Sequence, residues 1–95
     1  MSDKVYLCLA PYCWGRGVTP GEAVRLARRS YPKIIKGAAG KEMPYDLYRV
    51  NPDDFVDQAG NICAQEAPEK IREVRFVGGQ RTVKEKGLNA PLPKV

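Results

Sequence analysis

Near the N-terminus Val5, Leu7 and Leu9 alternate with Tyr6, Cys8 and Ala10. Both sets are apolar or amphipathic, which predicts a strand covered on both faces. Pro11 removes a ladder donor, and Gly15 and Gly17 supply backbone freedom, so the chain is expected to turn between them and pass into a helix. Thr19, Pro20 and Glu22 suit the N-cap, N1 and N3 positions: the hydroxyl accepts a backbone proton, proline loses nothing at N1, and glutamate can reach back to the cap. On the helix that follows, Ala23, Val24, Ala27 and Tyr31 share one face, while Arg25, Arg28 and Arg29 fall mostly on the other. Pro32 disfavours helical geometry at Tyr31 and is expected to end the helix there, leaving residues 33–40 as a basic linker with two glycines.

The second half reads as strands. Residues 45–50 are rich in β-formers and stop at Asn51-Pro52, a turn signal. Residues 55–57 and 62–64 predict a short hairpin whose Gly60 provides a positive φ. Residues 71–77 predict a further strand, with Val74 and Phe76 inward beside Arg72 and with Glu73 and Arg75 outward; a short helix from Glu69 is the competing reading. Gly78-Gly79 then turns the chain into a last strand around residues 81–84, and residues 89–95 read as an extended tail. The pattern predicts one α+β domain over residues 1–88, with one principal helix packed on an antiparallel sheet of about four strands.

Composition narrows the possibilities. Ninety-five residues, 43% hydrophobic and 28% charged, describe a single small domain with one modest core. The longest apolar run, over residues 5–11, is far short of the roughly 20 residues needed to span a bilayer. Residues 1–4 carry no secretory pattern, so a cytoplasmic location is expected. The formal net charge of +5 is unevenly placed. Arg16, Arg25, Arg28, Arg29, Lys33, Lys36 and Lys41 face a single acid, Glu22, within residues 16–41, whereas from Val50 onward seven positive and seven negative residues cancel. Such asymmetry suits an anionic partner.

Catalysis is poorly provided for. The chain has no histidine, so the usual neutral-pH proton carrier is missing and a nucleophilic Cys13 or Cys63 would lack its customary base. Cys8, Cys13 and Cys63 have no familiar zinc spacing and read as reduced core thiols. Asp53, Asp54 and Asp57 lack the ligand series of a calcium loop and read as turn caps. Gly15-Arg16-Gly17 before a helix can in principle cradle an anion, yet the third glycine of the dinucleotide fingerprint and the lysine-serine pair of the P-loop are both missing. No cofactor is expected.

The string Gly15-x-Gly17-x-Thr19-x-x-Glu22-Ala23-x-x-x-Ala27 resembles the strand-to-helix junction of double-stranded-RNA-binding domains and of HicB-type antitoxins. The RNA-binding family places paired lysines after the cap, where this chain has Pro20 and Gly21. The antitoxin family places two or three strands before the helix, where the sequence is expected to fit one. A short basic chain of this kind is also similar to small accessory proteins of phages and plasmids. The expected working surface is cationic: Arg25, Arg28 and Arg29, extended by Lys33, Lys36 and Lys41 and bordered by Arg16, with Tyr12 and Trp14 available for stacking. Its expected use is docking on an acidic partner protein in a regulatory or inhibitory role, the alternative being sequence-independent contact with DNA or RNA. Open sheet edges also allow a homodimer.

Overall fold

The two-sided apolar run forms β1 (Val5–Ala10), a strand interior to the sheet whose consecutive residues Leu7 and Cys8 are both wholly buried on opposite faces. The computed structural model describes residues 4–34 and 43–86. After a two-residue turn at Pro11 and Tyr12 the chain returns as β2 (Cys13–Gly17), pairing antiparallel with β1 from Ala10–Cys13 to Tyr6–Gly17. The helix α1 (Pro20–Ile34) follows, then β3 (Asp46–Val50), a small hairpin of β4 (Phe55–Val56) and β5 (Ile62–Cys63), and a long hairpin of β6 (Glu69–Val77) and β7 (Gln80–Glu85). The main sheet has the order β2-β1-β3-β6-β7, with each neighbouring pair antiparallel, and β4-β5 forms a separate two-stranded sheet.

The fold class is therefore α+β, with one helix, among the described residues, on an antiparallel sheet of five strands. The extra strand is β2, and it corrects two expectations. The turn lies at Pro11-Tyr12, where Tyr12 takes φ 62°, and not at the glycines. Two strands, not one, precede the helix.

Gly15 and Gly17 are needed inside β2 because α1 lies directly on that strand. A Cβ on Gly15 would stand 2.2 Å from the Ala23 carbonyl oxygen and 2.5 Å from the Ala27 nitrogen. Only a residue with no side chain lets the helix backbone sit that close. Ala23, Val24 and Ala27 press from the helix side on Tyr6, Cys8, Cys13, Tyr45, Leu47 and Ile71, with Met43 completing the cluster. The opposite face of the sheet holds a second cluster of Val5, Leu7 and Val50, covered by Val56 and Ile62 of the small hairpin. Burial of each large aliphatic side chain contributes about 2 kcal/mol, so β1, which serves both clusters, is the strand the fold depends on most.

The helix begins where its signals place it: Glu22 N–H donates to Thr19 Oγ1 at 3.1 Å, and Ala23 N–H donates to the Thr19 carbonyl at 3.2 Å. It ends later than expected, passing through Pro32 to Ile34. Pro32 costs only the bond to the Arg28 carbonyl, one turn back, in a last turn whose carbonyls lack helical partners in any case. In β6 the register slips by one residue between its pairings with Leu47 and Tyr48. The bulge turns adjacent Ile71 and Arg72 inward, and both are buried. Val74 is half-buried, whereas Phe76, expected inward, is 67% exposed, because beyond Arg72 β6 pairs with β7 alone and the two strands project as an arm. Gly78 (φ 58°) and Gly79 (φ 81°) form its tip. Residues 33 and 34 of the expected 33–40 linker thus belong to α1, and the rest of that linker and the expected tail of residues 89–95 lie outside the described residues.

Candidate functional site

The Thr19 cap sets the phase of α1, and the two β2 glycines set its closeness to the sheet, so together they decide where its arginines point. With Ala23, Val24 and Ala27 against the sheet, Arg25 and Arg29, four residues apart, stand exposed on the outward side. Arg28 does not join them. It lies on the flank of the helix, half-buried, close enough to Cys8 and Tyr45 for its charge to be felt at both. Its Nε and one terminal nitrogen are covered and have no hydrogen-bond partner among the described residues.

The remaining cationic and aromatic candidates separate. Alternation in β2 points Cys13, Gly15 and Gly17 toward α1, and Trp14 and Arg16 toward the other face of the sheet. There the Arg16 guanidinium donates to the Pro52 carbonyl. Tyr12, 84% exposed, projects from the β1–β2 turn, and Trp14 is 45% exposed. Lys33 belongs to the last turn of α1, but its side chain, and Lys36 and Lys41 altogether, lie outside the described residues. Of the expected surface of arginine, lysine and stacking aromatics, the described residues therefore place Arg25 and Arg29 together on the outward side of α1, with Arg28 on its flank and with Arg16 and Trp14 on the other face of the sheet. The physical reason is the strand: a residue in β2 alternates faces, whereas a residue in the expected turn would not.

Acidic side chains are distributed unequally between α1 and the sheet. Arg49 pairs with Glu69 at 3.5 Å, Lys70 with Glu73 at 3.4 Å, Arg75 with Glu73 at 3.1 Å and Arg72 with Glu85 at 2.8 Å. Among the described residues no ion pair includes an arginine of α1. The acids of β6 and β7 thus pair with cations on the same strand or on the strand across, whereas Arg25 and Arg29 of α1 have no such partner among the described residues.

Arg72, expected from the sequence only to face inward, holds two elements together. It is buried, stacks 3.8 Å from the Tyr45 ring centroid, donates to the Tyr45 carbonyl at 2.6 Å and to Glu85 at 2.8 Å. It pins the base of the β6–β7 arm to the segment entering β3. Arg49 similarly lies 5.6 Å from the Tyr6 ring centroid.

The thiols are held as thiols. Cys8 is pushed up to about 12, chiefly by burial and secondly by neighbouring Cys13, against smaller opposing effects of Arg72 and Arg28. Burial also raises Cys13, whose Sγ–H donates to the Ala27 carbonyl at 3.5 Å. Cys63 is raised by desolvation and by Asp57, to whose carboxylate it donates at 3.8 Å. Cys8 and Cys13 belong to the helix-side cluster and Cys63 to the small hairpin behind the sheet, so the three sulfurs do not converge. Asp54 accepts the Asn51 N–H and Asp57 the Asn61 N–H, each at 2.9 Å, so two of the three clustered aspartates brace turns.

No protein-family model matches this chain, and neither the curated proteins nor the solved structures contain a significant match to it.

Proposed function

We propose that this is a non-catalytic binding protein, regulatory or inhibitory, that docks the outward face of α1 on an acidic surface of a partner protein. The observation that carries the reading is the separation of charge: Arg25 and Arg29 point outward without an ion-pair partner among the described residues, while acids of β6 and β7 pair with Arg49, Lys70, Arg72 and Arg75 of the sheet. Unpaired guanidiniums recognise carboxylates well, since each offers a fork of donors that matches two oxygens. A role without catalysis is supported by a sequence free of histidine and by thiols held protonated far above neutral pH.

A protein partner is preferred to nucleic acid because the aromatic candidates stand apart from the arginines. Trp14 faces the far side of the sheet, so a strand following Arg25 and Arg29 would find no stacking platform there. Capture from lysate with nuclease treatment, followed by mass spectrometry, tests this reading. A protein retained after nuclease by the wild type, and lost in Arg25→Glu/Arg29→Glu with unchanged circular dichroism, is the expected result. Loss of all retention on nuclease treatment, with affinity falling on added salt by about 0.9 log unit per log unit for each neutralised phosphate, would replace it with the nucleic-acid reading.

A further inference from the structure

We propose that β7 is the dimerisation edge of this protein, pairing antiparallel with β7 of a second copy about a two-fold axis through Val83. Among the described residues no strand pairs with the outer side of β7. The hydrogen-bond parity of the hairpin determines which of its groups face outward. Lys86 N–H donates inward to the Ile71 carbonyl at 2.9 Å, and Val77 pairs with Gln80 across a two-residue glycine turn. Even-numbered residues of β7 therefore bond to β6, and Arg81, Val83 and Glu85 present both backbone groups to the open edge. On β6 the same parity sends the Val74 N–H away from β7, where it donates to Asp46 Oδ1 at 2.8 Å.

Only registers that match odd residues with odd residues let two such edges bond. Centring on Lys84 sets that lysine against itself, and centring on Thr82 leaves Glu85 opposite Gly79. Centring on Val83 sets Val83 on Val83 and Arg81 opposite Glu85 twice, so the backbone bonds form with opposite charges facing each other across the axis. Glu85 keeps 44% of its side chain exposed while bound to Arg72, so it has room for a second guanidinium. Val83 pairs with Val74 inside the hairpin, so the dimer forms a row of four valines, Val74 and Val83 from each copy, on one face of a continuous ten-stranded sheet. Val83, 39% exposed in the single chain, becomes the centre of that row. The β2 edge is the weaker candidate: it is shorter, and its Arg16 is tied to the Pro52 carbonyl.

The test is the mass in solution of the full chain by sedimentation equilibrium. The wild type is expected at twice the 10.6 kDa chain mass. Val83→Pro removes only an outward N–H and is expected to raise the dimer dissociation constant by about tenfold or more while preserving the fold. Arg81→Glu, which sets like charges opposite one another, is expected to weaken it in the same direction. A wild type that stays monomeric at its highest soluble concentration overturns the proposal, including when its β7 edge is found to bind a peptide of another protein. So does a folded Val83→Pro that remains dimeric. Should Val83→Pro fail to fold, Val83→Cys decides: the narrow pair at the axis sets the two α-carbons about 5.5 Å apart, within disulfide reach. Covalent dimer in oxidised glutathione for Val83→Cys, but not for Thr82→Cys or the wild type, supports the axis. Equal cross-linking of both variants, or of neither, removes it.

Discussion

Gly15 is the residue least able to accept a change. Its missing Cβ is what permits α1 to rest on β2, with the Ala23 carbonyl oxygen 2.2 Å from where that atom would be. The obstruction is backbone, which cannot rotate aside. Gly15→Ala is therefore expected to destabilise the protein by about 3 kcal/mol, measured by urea unfolding. Gly60→Ala provides the contrast: nothing lies within 4 Å of its added methyl, and only its φ of 87° is strained, for about 1 kcal/mol. Equal losses at both positions would mean that conformation, not helix contact, is what Gly15 provides. In the sequence these glycines look alike, because what stands across from a residue is not written beside it.

Among the elements, α1 and the β6–β7 arm carry the two proposed contact surfaces, and they differ in support. The helix is held by its cap and by a full apolar face. The arm is held at its base, by Arg72 and by the Val74 amide on Asp46, and beyond that only by its own ladder and by the two positive-φ glycines at its tip. Native-state hydrogen exchange on the dilute protein should accordingly show the amides of β1 and β3 as the slowest and those of residues 76–81 as the fastest within strands. Arm amides as protected as β1 would show a covering element over the tip. The hairpin itself was readable from Gly78-Gly79 between β-forming runs. Its projection was not, because whether Phe76 is covered depends on how far β3 runs alongside it, and β3 pairs with only the first part of β6.

For the whole molecule, alkaline pH is the informative variable. Cys8 has a folded-state value near 12 against 9.0 for the free thiol, and Tyr45 and Cys13 are raised in the same direction, each chiefly by burial. Below pH 9 the Cys8 thiol keeps its proton in both folded and unfolded chains, and the stability is fully present. Between pH 9 and 12 the unfolded chain gives up that proton while the folded one retains it, so stability falls as pH rises through the window. Urea unfolding at pH 8 to 11 should show this decline, and Cys8→Ala should make it shallower. An unchanged slope in that variant would assign the decline to other groups. The two clusters share β1 and β3, so the transition should be lost as one.

Local chemistry was enough to establish several features from the residues in order. The Thr19 cap, the two-faced β1, the Gly60 and Gly78-Gly79 turns and the cancellation of charge beyond Val50 each depend on neighbours within a few positions, through one hydroxyl, one period or one backbone angle. Folding in three dimensions settled the features that depend on distant neighbours. Gly15 and Gly17 became strand residues because a helix needed to approach, Arg28 turned inward because its flank faced the sheet, and Arg16 and Trp14 went behind the sheet because strand alternation sent them there. Which arginines share a surface is a property of packing, since side chains close in sequence point apart once a strand and a helix impose different periods on them.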